Sequence, residues 1–245
     1  MNTQEQSVDA IIREDFSLFV MKCFKEIYPT DTYYPNWHIE ALCYALMQCK
    51  NGNTKRLNIN APPRCLKSFI TSVAYPAYRL GLDPTRKIIV ISYAQELSDS
   101  LTRQFRQIIG SDWYQRVFPE MMIGTDNNRI NEQITTHGGY RRTTSVMGGL
   151  TGFGSDDIIV DDPVKTDDAF SDTIRENVNE WYKNTVPTRL NDPENGGIII
   201  VAQRIHAYDL SGMVLDSGSW ESLVIPAIAI KDETYQVGPN PKDIY

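Results

Sequence analysis

Three short runs of nearly unbroken aliphatic residues limit what this chain can fold into: KIIVIS at 87–92, DIIVD at 157–161 and GIIIVA at 197–202. A strand with one wet face alternates apolar and polar side chains. These runs do not alternate, so both faces must be covered. Between them lie stretches with helical periodicity, at 96–109 and at 171–184, where Ser171 is placed to cap. Short buried strands alternating with helices predict an α/β domain with a mainly parallel sheet flanked by helices. Residues 56–60 read as a further strand, followed by a helix over 67–80, and 208–215 as a helix after the last apolar run. Towards the N-terminus, Ile11, Ile12, Phe16, Phe19, Val20, Cys23, Phe24 and Ile27 recur at helical spacing, which predicts one helix over 8–28 ended by Pro29. A second helix is expected over 36–48. Residues 129–147, with Gly138-Gly139, read as a hairpin. From Ser217 onward no element is expected, and Gly238-Pro239-Asn240-Pro241 reads as a linker.

Composition removes several function classes. Four cysteines, Cys23, Cys43, Cys49 and Cys65, form no CxxC pair, and there are only three histidines, so neither a zinc cage nor a disulfide framework is expected. The formal net charge of −7 argues against a free-standing nucleic-acid-binding domain, although one local basic patch remains compatible with it. No stretch reaches the roughly 18 apolar residues of a membrane span, and the polar N-terminus lacks the pattern of a signal peptide.

The segment Ala61-Pro62-Pro63-Arg64-Cys65-Leu66-Lys67-Ser68 lies between an expected strand and an expected helix. That is the setting of a phosphate-binding loop. Backbone N–H groups and the helix N-terminus surround phosphate oxygens, Lys67 neutralises the β/γ-phosphates, and Ser68 offers its hydroxyl to Mg²⁺. Pro63, Arg64, Cys65 and Leu66 complete the cradle. The usual glycines are replaced by Ala61 and Leu66, so Leu66 serves only if its position takes a backbone conformation open to any residue. The competing reading is a Pro-rich turn with a surface lysine.

A nucleotide-hydrolysing site also needs acids at the end of another buried strand. Asp161 and Asp162, followed by Pro163, supply them: Asp161 as the group facing Mg²⁺, Asp162 as the one that orients or deprotonates the attacking water. The alternative is a solvated Asp-Asp-Pro turn. Gln203, at the tip of the third apolar run, is the candidate γ-phosphate sensor, with Arg204 second. Arg142, with Arg141, precedes a glycine-rich stretch (147–154) and is the candidate arginine finger; the alternative is a solvated pair on a hairpin. Trp37 and His38 are candidates to flank an adenine, with Tyr33, Tyr34 and Asn36 nearby; the alternative is a hydrophobic staple.

These residues, together with Pro35-Asn36-Trp37-His38, Phe118-Pro119, Gly148-Gly149-Leu150-Thr151-Gly152, Thr188-Arg189-Leu190 and Asp209-Leu210-Ser211-Gly212, resemble the large terminase subunits of tailed double-stranded DNA phages and prophages. The likeness runs from about Tyr34 to about Leu215. It implies a P-loop NTPase of the ASCE type (RecA/helicase-like). By that likeness Arg64 is the loop arginine, Lys67 and Ser68 are the Walker A tail, Asp161 is the Walker B acid, and Asp162 is the catalytic acid. It further implies ATP and Mg²⁺, double-stranded DNA, a portal protein, a small terminase subunit, a pentameric ring, and a place in the host bacterium's cytoplasm rather than in the virion. The expected division is an N-terminal helical, adenine-side region over 1–50, an ATPase core over 51–216, and a lid or linker over 217–245 leading toward a nuclease domain that the chain does not include. A helicase-like DNA-dependent ATPase, and a nucleotide-binding assembly module without hydrolysis, stay as alternatives.

Overall fold

A computed structural model describes residues 3–150 and 152–245; Thr151 of the glycine-rich stretch lies outside the described residues. The three apolar runs and the further strand expected before the loop are strands with the expected bounds: β1 Arg56–Asn60, β2 Lys87–Ser92, β6 Asp157–Asp161 and β7 Gly197–Ala202. They join a single eight-stranded sheet in the order β3-β4-β5-β2-β6-β7-β1-β8. The five pairings from β5 to β8 are all parallel. β3 (Ile123–Arg129), β4 (Glu132–Thr135) and β5 (Tyr140–Ser145) form an antiparallel flank, so the expected hairpin is a three-stranded meander. β7 therefore lies between the strand that precedes the Lys67 loop and the strand that ends in Asp161.

Helices cover both faces, as unbroken apolar strands require. One face carries α1 (Thr3–Glu14), α2 (Phe16–Ile27), α3 (Trp37–Lys50), α4 (Tyr75–Leu82), α5 (Gln95–Ile109) and α6 (Asp112–Val117). Their apolar sides close on Ile59, Ile88, Val90, Ile159 and Ile199. The other face is covered by α7 (Asp172–Thr185) and α8 (Leu210–Asp216) over Ile89, Ile158, Val160 and Ile200. Alternate residues of one strand thus feed two separate cores.

Three local expectations change. The N-terminal helix is two helices, because Asp15 turns extended and caps α2, its carboxylate accepting from the Leu18 N–H. The helical periodicity survives across the break, which is why the sequence reads as one element. Beyond Ser217, β8 (Glu221–Val224) pairs in parallel with β1. Its side chains are mostly exposed, so it carries no apolar signature. The helix after Lys67 begins as expected but widens into a π-turn over Phe69–Ala74 before continuing as α4. Pro76 has no N–H to give Ser72, so an ordinary α-turn cannot close there. The Tyr75 N–H reaches back to the Ile70 carbonyl instead.

At the N-terminal end of β6, buried Asp157 accepts from Arg79 Nη2 at 3.1 Å and Arg86 Nε at 2.7 Å. The carboxylate is out of water and is made tolerable by two guanidiniums. Asp157→Ala should leave those cations without a buried partner and cost about 3–5 kcal/mol, read as a lowered urea midpoint; a loss below about 1 kcal/mol would show that the triad is solvated.

Candidate functional site

The site is built where β1 and β6 end on the same edge of the sheet. β1 delivers the chain into the loop 61–66, and the helix beginning at Lys67 brings Lys67 and Ser68 over the end of β6. Ser68 Oγ donates to Asp161 Oδ1 at 2.9 Å. Lys67 Nζ pairs with Asp162 Oδ2 at 3.0 Å, and the Gln203 backbone N–H donates to Asp162 Oδ1 at 3.0 Å. Two segments far apart in sequence thus meet through the side chains that the sequence singles out.

The backbone here is strained. Among the described residues four non-glycines have positive φ: Arg64 (63°), Leu66 (63°), Asp162 (44°) and Met147 (61°). The first three are at this site. The left-handed region costs an ordinary side chain about 1 kcal/mol or more and persists only where surroundings enforce it. The Leu66 expectation is corrected by this: the position is not open to any residue but has the conformation that glycine supplies elsewhere, and leucine adopts it anyway. Left-handed residues turn successive N–H groups to one side, as an anion-binding nest needs.

Electrostatics single out Asp161. It is fully buried, and its carboxyl is pushed well above the usual range, first by burial and then by the negative charge of Asp162; the Ser72 and Ser68 hydroxyls and Lys67 pull the other way. A hard cation takes oxygen ligands, commonly one or two carboxylates with phosphate oxygens. The Asp161 carboxylate and the Ser68 hydroxyl are such a donor set, and a divalent charge beside them would relieve the penalty on Asp161. Mg²⁺ therefore fits. Among the described residues no group of three or more His, Cys, Asp or Glu could hold a metal.

The other candidates fall as follows. Arg64 is exposed and has no hydrogen-bond or ion-pair partner among the described residues, so it is free to turn. Pro63 is exposed, and Cys65 Sγ–H donates to the Pro62 carbonyl at 2.8 Å, tightening the loop. Burial raises the Cys65 thiol's pKa. Gln203 engages Asp162 through its backbone. Arg204 is held by the His206 and Ala207 carbonyls and lies 3.6 Å from Asp209. Asp209 in turn caps α8 through the Gly212 N–H. A Cβ on Gly212 would sit 1.9 Å from the Ala207 carbonyl oxygen, so the Asp209–Gly212 motif is a local fold requirement.

Arg142 is not brought to the loop. It lies within β5 opposite Ile89, on the face away from the Lys67 helix, with Nη1 2.9 Å from Glu132 and its guanidinium 3.4 Å over the Phe153 ring. Nor is its neighbour solvated: Arg141 is wholly buried on the opposite face. Trp37 opens α3 but stacks on Tyr235 and Tyr245, each at 4.8 Å, so its ring faces are committed to the chain's last residues. His38 is half-buried, and burial lowers its pKa. In the glycine-rich stretch, Gly148 and Gly154 lie close to the protein's own atoms, Thr144 Oγ1 and Asn191 Oδ1.

One residue escapes the sequence reading. Ser72 Oγ donates to Asp161 Oδ2 at 2.7 Å, so both carboxylate oxygens are held by hydroxyls of the same helix. The signal was there: Ser68 and Ser72 are four apart, which places them on one helix face.

No family model and no curated protein matches the sequence. Among solved structures, the large terminase of bacteriophage HK97 aligns with a TM-score of 0.53 at 14% identity, covering 88% of this chain and 45% of that one. The fold is that of a P-loop NTPase. The large terminase of a thermophilic bacteriophage, solved with ATP-gamma-S and with ADP, aligns at TM-scores of 0.47 and 0.45, with 11% and 9% identity, over 75% and 74% of this chain and 43% and 44% of those chains. The chain thus spans less than half the length of the terminases it resembles. β7 lies between the loop strand and the acid strand, and the Gln203 N–H just past its end reaches Asp162.

The raised pKa of Asp161 fixes a sign. From the unfolded carboxyl's pKa of about 4 up to the raised native value, the native state holds the extra proton, so stability contributed by this group falls as pH rises through that window. Asp161→Asn should therefore raise the apo melting temperature at about pH 8, with the gain shrinking toward about pH 4. A variant less stable than wild type at the higher pH would mean that Asp161 is already neutralised.

Proposed function

We propose that this chain is the ATP-hydrolysing motor domain of a phage large terminase, which drives double-stranded DNA into a procapsid. The observation that carries the reading is the convergence of Lys67 and Ser68 on Asp162 and Asp161 across a strained loop at the edge of a P-loop sheet. Its likeness in fold to the HK97 large terminase directs the choice among P-loop enzymes.

In this reading the loop 61–66 and the start of the Lys67 helix bind the triphosphate through backbone N–H groups. Lys67 leaves Asp162 and turns to the β/γ-phosphates. Arg64, exposed and without a partner among the described residues, reaches the same charge. Ser68 and Asp161 hold Mg²⁺, which when bound neutralises phosphate charge as it develops. Release of Lys67 frees the Asp162 carboxylate, already positioned by the Gln203 N–H, to accept a hydrogen bond and then a proton from the attacking water. Gln203 thereby links the acid to the tip of β7, the route by which phosphate loss would reach α8. Such a motor works as a ring on DNA, gripping mainly phosphates and therefore sensitive to salt. The portal protein, the small terminase subunit and the cytoplasm of the bacterial host belong to the same proposal.

The Lys67–Asp162 ion pair, with Lys67 only 6% exposed, also suits a module that binds nucleotide without hydrolysing it. Two substitutions separate the readings. Lys67→Ala should abolish binding of Mg-ATP. Asp162→Asn should keep binding but lower phosphate release by roughly 100-fold or more. Phosphate release unchanged in purified Asp162→Asn would overturn the catalytic assignment, and tight binding with no release by the wild type in the presence of DNA would favour the binding module.

A further inference from the structure

Arg141 is the largest fully buried side chain among the described residues, and no carboxylate of theirs lies within ion-pair distance of it. Taking a guanidinium out of water with no counter-charge is costly. The burden is visible in its pKa, lowered to about 9 by burial. Nε has no hydrogen-bond partner among the described residues. What Arg141 does make is specific. Nη2 donates to the Ser72 carbonyl at 3.0 Å, Nη1 donates to Thr102 Oγ1 at 3.1 Å, and the guanidinium lies 4.7 Å over the Phe105 ring. From β5 it therefore joins α5 to the π-turn that follows Lys67.

The Ser72 carbonyl matters because Pro76 has no N–H to close an α-turn onto it. Arg141 occupies that acceptor. The same residue's hydroxyl holds Asp161 Oδ2 at 2.7 Å. A fixed Ser72 is thus the anchor for the one carboxylate that faces a metal, and it remains an anchor when Ser68 turns its hydroxyl to the cation. The link runs through hydrogen bonds and helix geometry: the Arg141 guanidinium to the Ser72 carbonyl, and the Ser72 hydroxyl to Asp161.

We infer that Arg141 is a positioning residue for the metal site: by holding the Ser72 carbonyl it fixes in place the π-turn that aims the Ser72 hydroxyl at Asp161. This deepens the proposed function and rests on it. Groups that orient a metal ligand typically contribute about 10–100-fold in metal affinity.

The test uses the full chain and a fluorescent ATP analogue titrated with and without Mg²⁺. Arg141→Met keeps an extended, flexible side chain but removes both donors and the unpaired charge. It should melt at or above the wild-type temperature, keep the metal-free affinity for the analogue, and need about 10-fold or more Mg²⁺ for half-maximal binding. Ser72→Ala should shift the Mg²⁺ midpoint likewise, and the double variant should be no worse than the weaker single one, since both break the same connection. A folded Arg141→Met with the wild-type Mg²⁺ midpoint overturns the inference. If Arg141→Met does not fold, Ser72→Ala decides: a shifted midpoint supports the connection to Asp161, and an unchanged one overturns it. Absence of Mg²⁺-dependent binding in the wild type is a different result, which overturns the functional reading and this inference with it.

Discussion

The helix that follows the phosphate-loop candidate is tied to β6 at both ends, and the rest of the site depends on that double tie. Ser68 and Ser72 hold Asp161 at the top of the strand, and Arg79 holds Asp157 at the bottom. The helical residues from Ser68 to Arg79 rise about 16 Å, and the steps from Asp157 to Asp161 span about 13 Å. The two lengths are close enough for the helical segment, π-turn included, to be pinned along one strand at both ends. Both ties lie on the same face because Asp157, Ile159 and Asp161 alternate with residues that feed the opposite core. Sliding the helix by one residue would break both connections together.

Such rigidity explains how the loop before Lys67 can hold a strained backbone. Arg64 and Leu66 take left-handed conformations without being glycine, and Asp162 does so at the facing strand end. A loop with free ends would relax. Here β1 enters from a sheet in which it is paired on both sides, and the exit is a helix anchored to β6, so the residues between have little latitude. The cost of about 1 kcal/mol or more per residue is borne by a fold with two large cores.

Much of this was legible in the sequence, for a physical reason. A strand buried on both faces must be apolar throughout, so β2, β6 and β7 declared their positions, and the polar residues at their ends stood out against that background. The elements that escaped are those whose stability comes from elsewhere. β8 is mostly exposed and is held by the β1 ladder. α6 is six residues long and depends on the aromatic packing of Trp113 and Tyr114. The break at Asp15 leaves the helical period intact. For the site, Lys67, Ser68, Asp161 and Asp162 were legible because their chemistry and their place at strand ends coincide. The partners of Arg142 and Trp37 were not legible, because side-chain type says nothing about the partner: a glutamate and a phenylalanine hold the one, and two tyrosines the other.

Ser72 and Arg141 extend this lesson from reading to mechanism. Nothing in the type of a buried arginine on a strand announces a link to a carboxylate two strands away. The link exists because a proline removes one N–H from a helix, the helix widens, and a carbonyl is left for a long side chain to reach. Asp161 is then held by a helix whose Ser72 carbonyl is fixed from β5. β5 continues directly into the glycine-rich stretch, so a shift of that stretch and a change at Asp161 share one rigid path through Arg141. In a motor such a path would let contacts made far from the nucleotide alter how firmly the acid is held, with no residue crossing the space between.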